Sequence, residues 1–139
     1  MIPIRLTLSG FLSYREPVEI DFTSFDLACI SGANGAGKSS LLDALTWVLF
    51  GQARKRDDSV INAQSDAAEV SLVFFYENNT YRVQRTKVRD KAAMLEFHIQ
   101  QNAGEGAEPL WKTLNERSLR DTEAAIVRTL RMDYETFIN

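Results

Sequence analysis

The sequence predicts an α/β fold, and three observations predict it. Apolar and polar residues alternate in several stretches, the period of half-buried strands. Two longer stretches carry apolar residues at helical spacing. A glycine-rich segment, Gly32-Ala33-Asn34-Gly35-Ala36-Gly37-Lys38-Ser39, stands between a short apolar run and the first of those helices. The 139 residues fit one domain with a single core. A composition of 45% hydrophobic and 25% charged residues excludes a disordered chain. The formal charge of -3 supplies no global positive field, so an anionic partner has to be held by a local patch. Cys29 is the sole cysteine, which excludes an intrachain disulfide and a cysteine-rich metal site, and suits a reducing compartment. The start of the chain alternates and does not look like a signal peptide. The most apolar segment, 41–50, is interrupted by Asp43 and is too short to span a bilayer. No membrane partner is expected, and the cytoplasm is the expected compartment.

In chain order, Ile4, Leu6 and Leu8 alternate with Arg5, Thr7 and Ser9, which predicts a strand over 3–9. Val18, Ile20 and Phe22 alternate with Glu19 and Asp21 in a second strand, and residues 10–17 connect the two. The apolar run 27–30, ending at Ser31-Gly32, predicts a buried strand that feeds the glycine-rich loop. Leu41, Leu42, Leu45, Val48 and Leu49 share one face of a helix over 38–50, which Gly51 stops. Residues 52–68 are polar and predict a loop. Val70, Leu72, Phe74 and Tyr76 alternate, Asn78-Asn79 predicts a tight turn, and 80–87 returns as the partner strand. Residues 94–100 predict another strand with Leu95, Phe97 and Ile99 on one face. Residues 102–109 predict an exposed turn, and 110–114 a short strand. Ser118 and Asp121 stand at capping-box spacing before a helix that runs to 132, with Ile126, Val127 and Leu130 inward, and Asp133 is placed to start a further turn. Phe137-Ile138-Asn139 has no cap or polar tail, so a chain cut in mid-architecture is expected. The expected layout is a mixed central sheet and an antiparallel outer sheet that covers the helix over 38–50.

The pattern glycine, four residues, Gly-Lys-Ser has a chemical reason. Glycines at 32, 35 and 37 let the backbone curl until several N–H groups point at one phosphate. The helix that follows aims its positive end at the same charge. Lys38 supplies a cation for the outer phosphates, and the Ser39 hydroxyl is the expected magnesium ligand. The loop thus predicts binding of a nucleoside triphosphate, with Lys38 as the catalytic cation. A strand before the loop and an amphipathic helix after it are the setting in which this motif is specific. An incidental glycine-rich turn is the bland alternative, and the setting disfavours it. Hydrolysis also needs an acid at the end of an apolar strand to hold magnesium and position water. No convincing candidate is present. Glu77 ends an apolar run but adjoins the predicted turn, and Asp43 lies inside the helix. The chain therefore predicts half of an ATP site.

Other residues favour plainer roles. Residues 81–91 hold Arg82, Arg85, Lys87, Arg89 and Lys91 against Asp90 alone. This local basic stripe fits the backbone of double-stranded DNA without reading its sequence, and fits a solvated hairpin face equally well. Arg54-Lys55-Arg56, followed by Asp57-Asp58, predicts a solvated loop. His98 is expected at the surface, Cys29 in the core, and Trp47 and Trp111 in packing roles.

Taken together, several segments resemble the N-terminal ATPase lobe of SbcC proteins, which belong with the SMC-like DNA-repair ATPases. They are Phe11-Leu12-Ser13-Tyr14, Ile20-Asp21-Phe22, the loop continued through Ser40-Leu41-Leu42-Asp43-Ala44, Leu49-Phe50-Gly51 and Asp133-Tyr134-Glu135-Thr136-Phe137-Ile138-Asn139. Asn34-Gly35 within the loop is typical of that group, where transporter ATPases more often have Ser-Gly. The resemblance covers essentially the whole chain. It implies lobe I of an ABC-type P-loop head, spanning 1–139 and ending before a glutamine loop and a long coiled coil. It implies a C-terminal lobe of the same protein that brings the remaining catalytic groups. It also implies a second head that sandwiches two ATP molecules in a homodimer, double-stranded DNA, and an SbcD-like partner nuclease. Carried over by position, Gly35, Ala36, Gly37, Lys38, Ser39 and Ser40, with Gly32 and Asn34, are expected at ATP and magnesium. Ser13 is expected in the turn that reaches the nucleotide, and Asn62 in a loop near the base. Some members have arginine at the position of Leu12, so that charged contact is lost here. A transporter ATPase, a stand-alone nucleotide kinase and a non-catalytic DNA-binding scaffold are the alternatives. The first is disfavoured by Asn34 and the 11–14 turn. The second is disfavoured by the lack of a recognisable arginine-bearing lid. Salt-dependent DNA binding that ignores ATP would favour the third.

Overall fold

In the computed structural model, residues 1–23, 35–101, 106 and 108–138 are described, with 35–39 as backbone only. Six strands form one sheet: β1 (Ile2–Ser9), β2 (Val18–Asp21), β3 (Ala67–Tyr76), β4 (Asn79–Val88), β5 (Met94–Gln101) and β6 (Leu110–Thr113), in the order β2-β1-β3-β4-β5-β6. Every neighbouring pair is antiparallel. The expected division into a mixed central sheet and an antiparallel outer sheet is thus corrected for the described strands, where β1 and β2 continue the antiparallel sheet directly. The strand expected at 27–30 lies outside the described residues.

The pleat sorts side chains by register. Leu6 faces Leu72, Leu8 faces Val70, Leu72 faces Val83 and Val83 faces Phe97, so one face collects a continuous apolar layer. Phe74, Tyr81 and Phe97 stack across it, with centroids 5.4 and 5.6 Å apart. The hairpin between β3 and β4 turns at Glu77 and Asn78, both left-handed at φ 47° and 65°. That is one residue earlier than expected, because Asn79 already pairs with Tyr76 in the ladder.

Two helices lie on the apolar face. Helix α1 (Gly35–Phe50) packs on β3 and β4, and α2 (Leu119–Leu130) packs on β5 and α1. The helix expected from Lys38 begins three residues earlier. Its buried side is centred on Ser40, Ala44, Trp47 and Val48, spaced four, three and one residues apart, while Leu42, expected inward, is 54% exposed. Ser118 caps α2 through a 3.1 Å bond from the Asp121 backbone N–H, and Arg131, at φ 54°, ends it in the left-handed conformation. A short helix α3 (Tyr134–Ile138) follows. Asp133 accepts from the Thr136 N–H at its start, and Tyr134 and Phe137 meet Phe50 at 6.3 and 5.6 Å.

Candidate nucleotide site

The described part of the site is built by two connections that grip the start of α1. The first N–H groups of an α-helix have no intrahelical acceptor, and in α1 they include those of Gly35, Ala36 and Gly37. The start of this helix thus falls within the segment where the sequence puts its phosphate loop. Gly32 and Asn34 lie outside the described residues, as do the side chains of Lys38 and Ser39.

Ser40 is buried, and its Oγ lies 3.3 Å from the Ser13 Oγ. That contact joins residues 27 apart in sequence and brings the β1–β2 connection onto α1. The connection is a tight turn. Phe11 N–H donates to Tyr14 O at 2.9 Å and Tyr14 N–H to Phe11 O at 2.8 Å, while Leu12 takes φ 48°. A second segment clasps it from outside. Leu12 N–H donates to Val60 O at 2.8 Å, Asn62 N–H to Gly10 O at 2.7 Å, and Asn62 Nδ2 to Leu12 O at 2.7 Å. The Asn62 Oδ1 meanwhile accepts from Gln64 N–H at 3.0 Å. The Asn62 side chain is thus engaged at both ends in holding the Ser13 turn. Gly10, at φ 62°, leaves no room for a side chain, since a Cβ would come 2.0 Å from Ala67 O.

Between this turn and the 54–63 segment opens a cavity of about 630 Å³, lined by Leu12, Ser13, Arg54, Lys55, Ser59, Ile61 and Ala63. Its basic rim has an anchor that sequence reasoning missed. Asp43 of α1 is 6% exposed and accepts from the Arg54 N–H at 3.1 Å and from the Arg54 Nε. The solvated loop expected at 54–56 is therefore fastened to the phosphate-loop helix at its first residue. The spacing of eleven residues across a helix end left no periodic signal for the pair. Glu77 sits in the β3–β4 turn, and the Asp43 carboxylate is paired with Arg54. Among the described residues no group of three or more His, Cys, Asp or Glu is arranged to hold a metal, and no helix is long and apolar enough to cross a membrane.

The basic stripe separates. Arg85 is 2% exposed and donates to Glu123 at 2.8 Å, so the expectation that it reaches DNA is corrected: the pleat turns it into the core. Lys87 lies at the rim of the same face, bonded to Asp58 at 2.8 Å. The Asp58 carboxyl is held below its ordinary range by that bond and by the Asp90 backbone N–H. Arg89 donates to Ser65 O at 2.9 Å. Arg82, on the opposite face, lies 4.6 Å over the Trp111 ring, so Trp111 packs against a cation. His98 pairs with Arg82 in register and is half-buried. Burial and the Arg82 charge push its pKa down.

Comparison with known proteins agrees with this geometry. The family model described as "AAA domain" matches residues 5–135. The chain belongs to that family. This AAA domain is 34% identical over 99% of its length to the SbcC component of the SbcCD nuclease of Deinococcus radiodurans, and covers 15% of that protein. It is 36% identical over 61% of its length to a probable DNA double-strand break repair Rad50 ATPase of Aquifex aeolicus, covering 9% of it. A solved SMC head domain from Thermotoga maritima superposes on 79% of the chain with a TM-score of 0.52 at 22% identity, a likeness of fold. The AAA domain is thus a P-loop ATPase domain homologous to the SbcC and Rad50 ATPases, and spans a small part of the length of these relatives.

Proposed function

We propose that residues 1–139 form the N-terminal, ATP-binding lobe of a split DNA-repair ATPase head. The observation that carries this reading is the 3.3 Å contact of Ser13 with Ser40, which sets the β1–β2 turn beside the helix that opens from the phosphate loop. In this reading the N–H groups of Gly35, Ala36, Gly37 and Lys38, with Gly32 and Asn34, cradle the phosphates of ATP. Lys38 neutralises the outer phosphates, and Ser39 and Ser40 supply hydroxyls. The donor set fits magnesium, a hard cation that takes oxygen ligands and keeps most of its water. Held by these hydroxyls, such an ion would supply neutralisation of the charge on the phosphates. Ser13 and the 630 Å³ cavity face the nucleoside side, and Asn62 serves by holding the Ser13 turn in place. In this reading the apolar run 27–30 leads into the loop.

In this reading the acid that orients water comes from a C-terminal lobe of the same protein, on which hydrolysis depends. Engagement of a second head follows, with double-stranded DNA and an SbcD-like nuclease as partners. Arg82 and Arg89, with Lys87 at the rim, remain candidates for DNA phosphate, and Arg85 leaves that group. No membrane is involved, and the cytoplasm is the compartment.

The test is ATP turnover by this chain with and without its separately expressed C-terminal lobe. Turnover should require both lobes and vanish with Lys38→Ala. Hydrolysis by the chain alone, at a rate the second lobe leaves unchanged, would make it a self-contained enzyme and sink the split-head reading.

A further inference from the structure

Arg85 sits where the nucleotide site gives it no task. On the core face of β4 it stands opposite Val70 and Leu95, among apolar neighbours. Its Nη1 donates to Glu123 of α2 at 2.8 Å, and its guanidinium lies 5.9 Å from the Trp47 ring of α1. Gly51, just past α1, closes the enclosure. A Cβ there would come 2.9 Å from Glu123 Oε1 and 3.1 Å from Arg85 Nη1. One guanidinium therefore joins β4, α2 and the last turn of α1.

The chemistry is expensive for a simple tie. Arg85 Nε and Nη2 have no hydrogen-bond partner among the described residues. Burial lowers the Arg85 pKa, against the opposing pull of Glu123. An apolar pair of similar volume would hold β4 to α2 at least as well. What the ion pair adds is direction, since a single N–H···O contact fixes where α2 stands relative to β4, beside Trp47 and Gly51 at the end of α1. Trp47 also meets Phe11 at 5.2 Å, and Phe11 heads the turn that carries Ser13 to Ser40. Helix α1 is a rod of roughly 24 Å, so a displacement at the phosphate loop is felt at its far end.

We infer that Arg85 is a positioning residue, whose ion pair with Glu123 couples α1 to α2 so that a nucleoside triphosphate at the phosphate loop orders residues 119–138. This rests on the nucleotide site proposed above. Three elements converge on the pair, and Tyr134 and Phe137 of α3 already pack on Phe50 at the end of α1. The coupling runs through packed side chains and one directional contact.

Amide hydrogen exchange of this chain, with and without magnesium-ATP, tests it. In the parent, nucleotide should slow exchange in 119–138 by about tenfold, a typical coupling between sites. The double variant Arg85→Met/Glu123→Leu removes both charges while filling the space. It should still bind nucleotide within about threefold of the parent, yet show less than about twofold protection of 119–138. Glu123→Gln, which keeps the acceptor and loses the charge, should fall between the two, and it decides the matter alone if the double variant does not fold. Full protection in either variant overturns the inference. So does a parent that binds nucleotide with no protection of 119–138, which leaves the site itself standing. Binding by the parent no tighter than by Lys38→Ala overturns the nucleotide site, and the coupling with it.

Discussion

Arg82 and Arg85 lie three residues apart on β4, and the pleat sends them to opposite faces of the sheet. On the core face Arg85 is enclosed by Trp47, Gly51 and Glu123. On the outer face Arg82 lies along Trp111, half-buried and open at its edge. A charge in the core has to be paired and cannot be removed singly, whereas a charge on an open sheet face is stabilised by a ring and by water. Alanine at each position should expose the contrast. Arg85→Ala leaves Glu123 without its partner and should cost about 3–5 kcal/mol. Arg82→Ala loses a half-exposed cation–π contact and should cost about 1 kcal/mol or less. Urea unfolding of the two variants measures both, and equal losses would break the comparison.

Two glycines sharpen it. Gly51 and Gly106 both take positive φ, at 73° and 81°. At Gly51 a Cβ meets the Arg85–Glu123 pair, while at Gly106 nothing lies within 4 Å. Gly106→Ala should cost only the backbone term, about 1 kcal/mol, and Gly51→Ala should cost about 2 kcal/mol or more by also displacing the pair. Thermal unfolding midpoints rank them, and a Gly51→Ala loss no larger than that of Gly106→Ala would show that the enclosure yields freely.

The same contrast marks what the sequence could disclose. The strands were legible because alternation is local: Val70, Leu72 and Phe74 announce their face without help from the partner strand. The caps were legible too, since Ser118 and Asp121 lie three residues apart and meet as expected. In the basic stripe, alternation offsets Arg82 from Arg85 and Lys87, but it does not tell which of the two faces turns into the core. The partners of Arg85 and Lys87 come from residues 38 and 29 positions away, so no local pattern announced either pair. Leu42 misled for a related reason. Apolar residues fill most of α1, and only contact with the sheet decides that Ala44, Trp47 and Val48 turn inward. At the site, the glycine-lysine-serine pattern was plain, but the Asp43–Arg54 tie and the clasp of Asn62 on Leu12 depend on loop closure that composition does not encode.

The rim of the core face carries the next effect. Lys87 binds Asp58, which also accepts from the Asp90 N–H at 3.2 Å. These bonds lower the Asp58 pKa from its ordinary 3.8. A lowered carboxyl pKa contributes stability that is complete above the unfolded-state value and is lost as pH falls through the folded-state value. Asp58→Asn should therefore weaken the fold at neutral pH and flatten its loss of stability below about pH 4, read from urea midpoints across the acid range. A variant as acid-sensitive as the parent would place that sensitivity elsewhere.

The smallest effect belongs to the outer face, at His98. Burial first, and the Arg82 charge second, lower its pKa from 6.5, while Glu96 acts weakly the other way. The sign is opposite to that of a histidine gaining a carboxylate partner. Well above pH 6.5 the ring is neutral in both folded and unfolded chains and costs nothing. Below it the unfolded chain takes up the proton first, so stability falls until the folded ring protonates as well. The folded protein should unfold at lower urea at about pH 5.5 than at pH 7, and His98→Gln should remove the part of that difference that arises here. Arg82→Gln should shrink it in part, because the repulsion goes while the burial stays. If His98→Gln keeps the whole difference, the outer face at this point is as well hydrated as open surface, and its half-buried cation would then owe more to water than to Trp111.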